Sequence, residues 1–148
     1  MLDEPVAALD PLARREFLRS LMEAVADGGL TVVLSSHIVA ELERVCDHLV
    51  ILDAGGVRLA GSIEQILESH RLLTGPRSDS AAVEGVHTVI DERHTERQTT
   101  LLVRVNGRVS EAGWCVDEVG LEEIVLAYLG RRTAPPIPVE PYPEAAVS

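Results

Sequence analysis

The sequence contains no lysine; its thirteen basic residues are all arginine, set against twenty-four carboxylates for a formal net charge of −11. A phosphate-binding loop of the form G-x-x-x-x-G-K-[ST] uses its lysine to neutralise phosphate charge while backbone N–H groups cradle the oxygens, so these residues hold no such loop. The same shortage of positive charge argues against nonspecific nucleic-acid binding, which depends on basic side chains releasing phosphate counterions. Aromatic residues are scarce too, with one Trp, two Tyr and one Phe, so the core is expected to be aliphatic. Neither Cys46 nor Cys115 has a second cysteine or a histidine at metal-ligand spacing, and both read as reduced, mostly buried thiols. No basic segment followed by an apolar stretch opens the chain, and no run reaches the roughly 18 apolar residues that a membrane span needs. Any membrane role is expected to come through a partner.

What is present can bury a core: 46% of the 148 residues are apolar, enough for one ordinary domain or two very small ones. The informative stretch is Leu2-Asp3-Glu4-Pro5, followed by Ala8-Leu9-Asp10-Pro11 and, after one helix, by Ser35-Ser36-His37. Residues 31–36 form a β-branched run of the kind buried on both faces of a parallel sheet. Open α/β sheets place ligand crevices at the carboxyl ends of their strands, so two neighbouring strand ends would bring Asp3, Glu4 and His37 together. Each piece also has a plainer reading. Asp3-Glu4-Pro5 is an acidic turn in which Pro stops a strand, Asp10-Pro11 is a helix N-cap and first position, and a lone histidine after a buried strand is a hydrogen-bonded structural residue.

At these residues the chain resembles the nucleotide-binding domain of ABC (ATP-binding cassette) ATPases. That family has a Walker B strand ending in Asp-Glu, a D-loop of the form A-L-D and a switch histidine closing the next strand. Asp3-Glu4, Ala8-Leu9-Asp10 and His37 match them in the family's order and at about its spacing, and the resemblance extends over residues 2–68. It implies that Asp3 holds Mg²⁺ through water, that Glu4 is the general base for the attacking water, that His37 bonds the γ-phosphate of ATP, and that Asp10 signals across a head-to-tail dimer. Phosphoryl transfer asks a protein mostly for positioning and charge neutralisation, which suits a metal-holding acid beside a water-holding one. Val6 stands where the family often has Thr, and Ala7 where it often has a small polar residue.

The resemblance further implies a second nucleotide-binding subunit and an integral membrane permease as partners, and a cytoplasmic place on the inner face of the cell membrane. In the family, Walker A, the glutamine loop and the L-S-G-G-Q-type signature precede Walker B. The chain is therefore expected to be the C-terminal part of a bacterial ABC transporter ATPase, inactive alone. Two alternatives stay open: a non-catalytic truncated product, and a fragment of a soluble ABC ATPase without a transport role.

The fold class expected is α/β: a partial, mostly parallel sheet like that of P-loop NTPases with flanking helices, then a small α+β lobe. Phe17, Leu18, Leu21, Met22 and Val25 recur at helical spacing over residues 11–27, with Arg14, Arg15, Glu16, Arg19 and Glu23 opposite, and Met22 is expected in the core. A short helix over 38–46 follows with Glu41, Glu43 and Arg44 outward, then a hairpin turning at Asp53-Ala54-Gly55-Gly56, then a helix opened by a Ser62/Gln65 capping box. Residues 1–71 are expected as the ATPase portion, 72–82 as a linker, 83–130 as the accessory lobe and 131–148 as a disordered Pro-rich tail. Within the lobe, Val83–Ile90 and Thr99–Val105 read as strands, Trp114–Val116 as a further extended piece, and Leu121, Ile124, Val125 and Tyr128 as a helical stripe. His70, His87 and His94 read as solvent-exposed.

Overall fold

In the computed structural model, which describes residues 1–5, 7–29, 31–109 and 113–130 and only the backbone of Asp79 and Ser80, Asp10 starts the longest helix, α1 (Pro11–Gly28). Its Oδ1 accepts from the backbone N–H groups of Leu12 and Ala13 at 3.0 Å each, and Pro11 occupies the first turn, where no N–H is needed. Gly29, at φ 59°, ends the helix in the left-handed conformation that glycine adopts without a Cβ penalty.

Helix α1 belongs to the first of two compact units, Met1–Cys46. Before it, β1 (Leu2–Asp3) runs parallel to β2 (Leu34–Ser35), with Leu2 opposite Leu34 and Asp3 opposite Ser35. After β2 comes α2 (Val39–Val45), whose Leu42 is buried. The strand expected over 31–36 is thus reduced to two residues, prolonged by the bonds from Leu2 N–H to Val33 O at 2.8 Å and from Glu4 N–H to Ser35 O at 3.1 Å. A ladder extends only as far as its partner, and β1 has two residues. Met22, expected in the core, is 39% exposed, and Leu18 alone of its stripe is buried. Two two-residue strands offer too little apolar surface to cover the rest.

The second unit runs from Asp47 onward. Strands β3 (His48–Asp53) and β4 (Gly56–Ser62) form the expected antiparallel hairpin, with Ala54 and Gly55 at positive φ in the turn. Ser62 caps α3 (Ile63–Ser69) by accepting from Gln65 N–H at 3.2 Å. Helix α3 leads directly into β5 (His70–Pro76), which joins β6 (Thr88–His94), β7 (Gln98–Arg104) and β8 (Cys115–Asp117) in an antiparallel sheet of order β6-β7-β5-β8. Between β5 and β6 lie a 3₁₀ turn (Arg77–Asp79) and the short helix α4 (Ser80–Glu84). Helix α5 (Leu121–Gly130) follows β8.

Strand alternation sends Leu73, Leu101 and Val103 to one face of this sheet, where they pack with Val83 of α4. His70, Leu72 and Leu102 take the other face, where His70 reaches Tyr128 of α5. The chain is therefore mixed α/β. Its only parallel pairing among the described residues is β1 with β2.

Several expectations need correction here. Residues 72–76 are not linker but the greater part of β5, which is paired on both sides. Their turn-rich composition hides the fact that strands distant in sequence complete their hydrogen bonds. Val83 sits in α4 and the following strand starts only at Thr88. His70 and His87 are buried, each with a hydrogen-bond partner that sequence spacing does not reveal: Tyr128 for His70 and the Asn106 backbone for His87. His94 is exposed. Cys46 is half-buried but Cys115 is exposed, because β8 is an outer strand whose three residues all face solvent. The tail expected to be disordered, 131–148, lies outside the described residues, as does Val6.

Candidate functional site

The register of the parallel pair builds this site. With Asp3 opposite Ser35, the Ser35 hydroxyl donates to Asp3 Oδ1 at 2.6 Å. The Glu4 backbone N–H points at both Ser35 O and Ser35 Oγ, each at 3.1 Å. One serine thus ties down consecutive residues of the strand end.

Glu4 then leaves the strand at φ 41°, in the left-handed region, and Ala7 N–H closes the turn onto Glu4 O at 3.2 Å. For a non-glycine residue immediately before proline this is an unfavourable conformation, costing roughly 1–3 kcal/mol. It aims the side chain away from the ladder and toward the end of β2. There His37 Nδ1 lies 3.0 Å from Glu4 Oε1. A carboxylate can only accept, so Nδ1–H donates and Nε2 is left for another partner. Ser36 Oγ accepts from Ile38 N–H at 3.0 Å and fixes the turn that carries the imidazole. The His37 and Glu4 side chains are 68% and 46% exposed, so a ligand can reach both.

Of the four residues picked from sequence, Asp3, Glu4 and His37 come together at the two strand ends. Asp10 is engaged at the start of α1, where Oδ1 makes both capping bonds. Ser35, which the sequence offers only as part of Ser35-Ser36-His37, has no role of its own there. Its signal was its place two positions before His37 at the end of the neighbouring strand. Arg14 and Glu41, expected to face outward, instead form a 3.1 Å ion pair with side chains only 22% and 17% exposed.

Among the described residues no three or more His, Cys, Asp or Glu side chains converge as a metal site. One carboxylate steadied by a hydroxyl is a poor cage for a free cation. It does suit Mg²⁺, which keeps several waters and takes one or two carboxylates together with substrate phosphates.

No protein-family model matches the chain. Individual proteins do. Over 92 residues it is 41% identical to the molybdenum import ATP-binding protein ModC of Rhodobacter capsulatus, an alignment covering 62% of this chain and 25% of that protein. Over 68 residues it is 43% identical to the ABC-type transporter ATP-binding protein EcsA of Bacillus subtilis, covering 46% and 27%. Over 118 residues it is 32% identical to the ModC protein of Rhizobium meliloti, covering 76% and 33%. The chain spans between 25% and 33% of the length of these curated relatives. Among the described residues no helix is long and apolar enough to cross a membrane. Relatives of this kind, aligned at this level, identify the chain as a fragment of the ABC ATPase family.

Proposed function

We propose that the chain is the C-terminal portion of an ATP-binding subunit of a bacterial ABC transporter, where it contributes to coupling ATP hydrolysis to transport. The observation that carries this reading is the meeting of Asp3, Glu4, Ser35 and His37 at the ends of a parallel strand pair. That pair is read as the remnant within these residues of a mostly parallel, P-loop-type sheet.

When bound, Mg-ATP supplies the scissile phosphoanhydride and the cation that offsets its charge. Asp3, oriented by Ser35, would hold that cation. Glu4 orients a water and accepts its proton. His37, held to Glu4 through Nδ1, leaves Nε2 for the γ-phosphate. Asp10, with one carboxylate oxygen spent on the helix cap, keeps the other for contact across a head-to-tail dimer. The partners are a second nucleotide-binding subunit and a membrane permease, which holds the chain at the cytoplasmic face of the membrane. Residues 1–71 are the ATPase portion, and the antiparallel sheet with α5 is an accessory lobe.

A second reading, a non-catalytic product that only associates with other subunits, is favoured by the absence of lysine: the phosphate cradle must come from outside these 148 residues. A chimera separates the two. Residues 2–68 replace the corresponding segment of the EcsA subunit, and ATP binding and steady-state hydrolysis are measured. Hydrolysis within about tenfold of the EcsA parent supports a competent site, since a lost general base alone costs roughly 10²–10⁴-fold. A folded chimera that binds ATP but does not turn it over supports the non-catalytic reading.

A further inference from the structure

We propose that the groove between α1 and α2 is a docking site for an acidic amphipathic helix of a partner protein. The groove encloses about 330 Å³. Leu18 and Met22, one helical turn apart on α1, and Val45 on α2 give it an apolar lining, while Arg15, Arg19 and Arg44 are exposed along it. Arg14 lies deeper, held by Glu41 at 3.1 Å.

Charge is segregated here. The residues from Met1 to Cys46 carry eight carboxylates and four arginines, and all four arginines line this groove against one acid, Glu41. In a chain of net charge −11 that is a local reversal of sign. Among the described residues Arg15 and Arg44 meet no carboxylate, and Arg19 is paired only with the exposed Glu23 on its own helix. Unpaired guanidinium groups beside the exposed Met22 and the half-buried Val45 match a ligand that brings acids on the flanks of an apolar stripe. An amphipathic helix does so with anchors at i, i+3, i+4 and i+7. The concave form favours a helix over an anionic bilayer, which is flat and is met by a protruding face. The unbranched thioether of Met22 adapts to apolar partners of varied shape.

The inference is independent of the nucleotide site, because Arg15 and Arg44 touch none of Asp3, Glu4, Ser35 or His37, and either reading can fail alone. The test is fluorescence anisotropy of a labelled helical peptide, with leucines at i, i+3, i+4 and i+7 and glutamates flanking them, titrated with the full 148-residue chain. Saturable binding that weakens at high salt is expected, with a loss of roughly tenfold or more in Arg15→Glu/Arg44→Glu. That variant should instead bind the same peptide with lysines in place of glutamates. Circular dichroism checks its fold; if the reversal unfolds the chain, Arg15→Gln/Arg44→Gln should still show the loss. The proposal is overturned by no saturable binding, by equal binding of the acidic peptide to parent and variant, or by phosphatidylglycerol vesicles capturing the chain through these arginines while the peptide does not bind.

Discussion

His37 Nδ1 donates to Glu4 Oε1 at 3.0 Å across 33 positions of sequence, a contact made only because β1 and β2 are parallel neighbours in register. The bond orients Glu4 but leaves its second carboxylate oxygen for a water. It also fixes which ring nitrogen of His37 is available to a phosphate.

The first prediction concerns this pair in the EcsA chimera. Glu4→Gln keeps the side-chain size and an oxygen facing His37 but removes the base, so turnover should fall by roughly 10²–10⁴-fold while ATP binding persists. His37→Ala should also lower turnover while leaving both carboxylates in place. Steady-state turnover of Glu4→Gln within a few-fold of the unsubstituted chimera would return Asp3-Glu4 to an acidic turn before a proline.

Ser35 is predicted to be a positioning residue. Its hydroxyl holds Asp3 Oδ1 at 2.6 Å and lies 3.1 Å from the Glu4 N–H. Groups that orient metal-holding residues typically change metal affinity or activity by about 10–100-fold when removed. In Ser35→Ala the Mg²⁺ concentration needed for half-maximal hydrolysis should rise by about that factor, and Ser35→Thr should restore it. A fall in maximal rate with no change in Mg²⁺ dependence would mean that Ser35 acts on the strand end rather than on the metal side of Asp3.

In the second unit, Gly75 and Trp114 are mutually dependent. A Cβ built on Gly75 would lie 2.6 Å from Cε3 and 2.8 Å from Cε2 of the Trp114 indole, which covers this strand glycine. Gly75→Ala should therefore destabilise the sheet by about 1–3 kcal/mol, the usual cost of overpacking. Adding Trp114→Leu should recover part of the loss, giving a double variant less destabilised than the sum of the singles. Urea unfolding followed by circular dichroism measures both, and strict additivity would contradict the contact.

How much of this was legible beforehand depended on the range of the interactions. The Asp10 cap, the hairpin at Gly55 and the Ser62 cap are decided within a few residues, and each appeared where expected. The strand ends carrying Asp3 and His37 were legible because a parallel pair joined by one helix has a short repertoire of arrangements. Burial set by distant partners was not legible. Leu72–Pro76 looked like linker because Gly75-Pro76 signals a turn, yet β7 and β8 pair with that stretch from 22 to 45 positions away. Met22 failed in the opposite sense: helical periodicity announces an apolar face but not whether anything lies against it.

The same long-range effect governs His70, and with it the response of the second unit to acid. Its side chain is fully buried, with Nδ1 2.7 Å from Ile66 O and Nε2 2.9 Å from the Tyr128 hydroxyl. A carbonyl can only accept, so Nδ1 carries the proton and Nε2 accepts from Tyr128, which is the neutral ring. Burial pushes the His70 pKa below its ordinary 6.5; the bond to Ile66 O works the other way, and Arg104 and Arg71 add to the lowering. Well above pH 6.5 the ring is neutral in both the folded and the unfolded chain, so stability is independent of it there. Below pH 6.5 the unfolded chain takes up a proton that the folded one refuses, so stability must fall as pH drops toward the lowered folded value. Urea unfolding of the parent should show this decline, and His70→Gln, less stable at neutral pH, should show a shallower one. The histidine Cε1 proton resonance gives the direct check: titration of His70 at or above its ordinary value in the folded chain would refute the buried neutral ring.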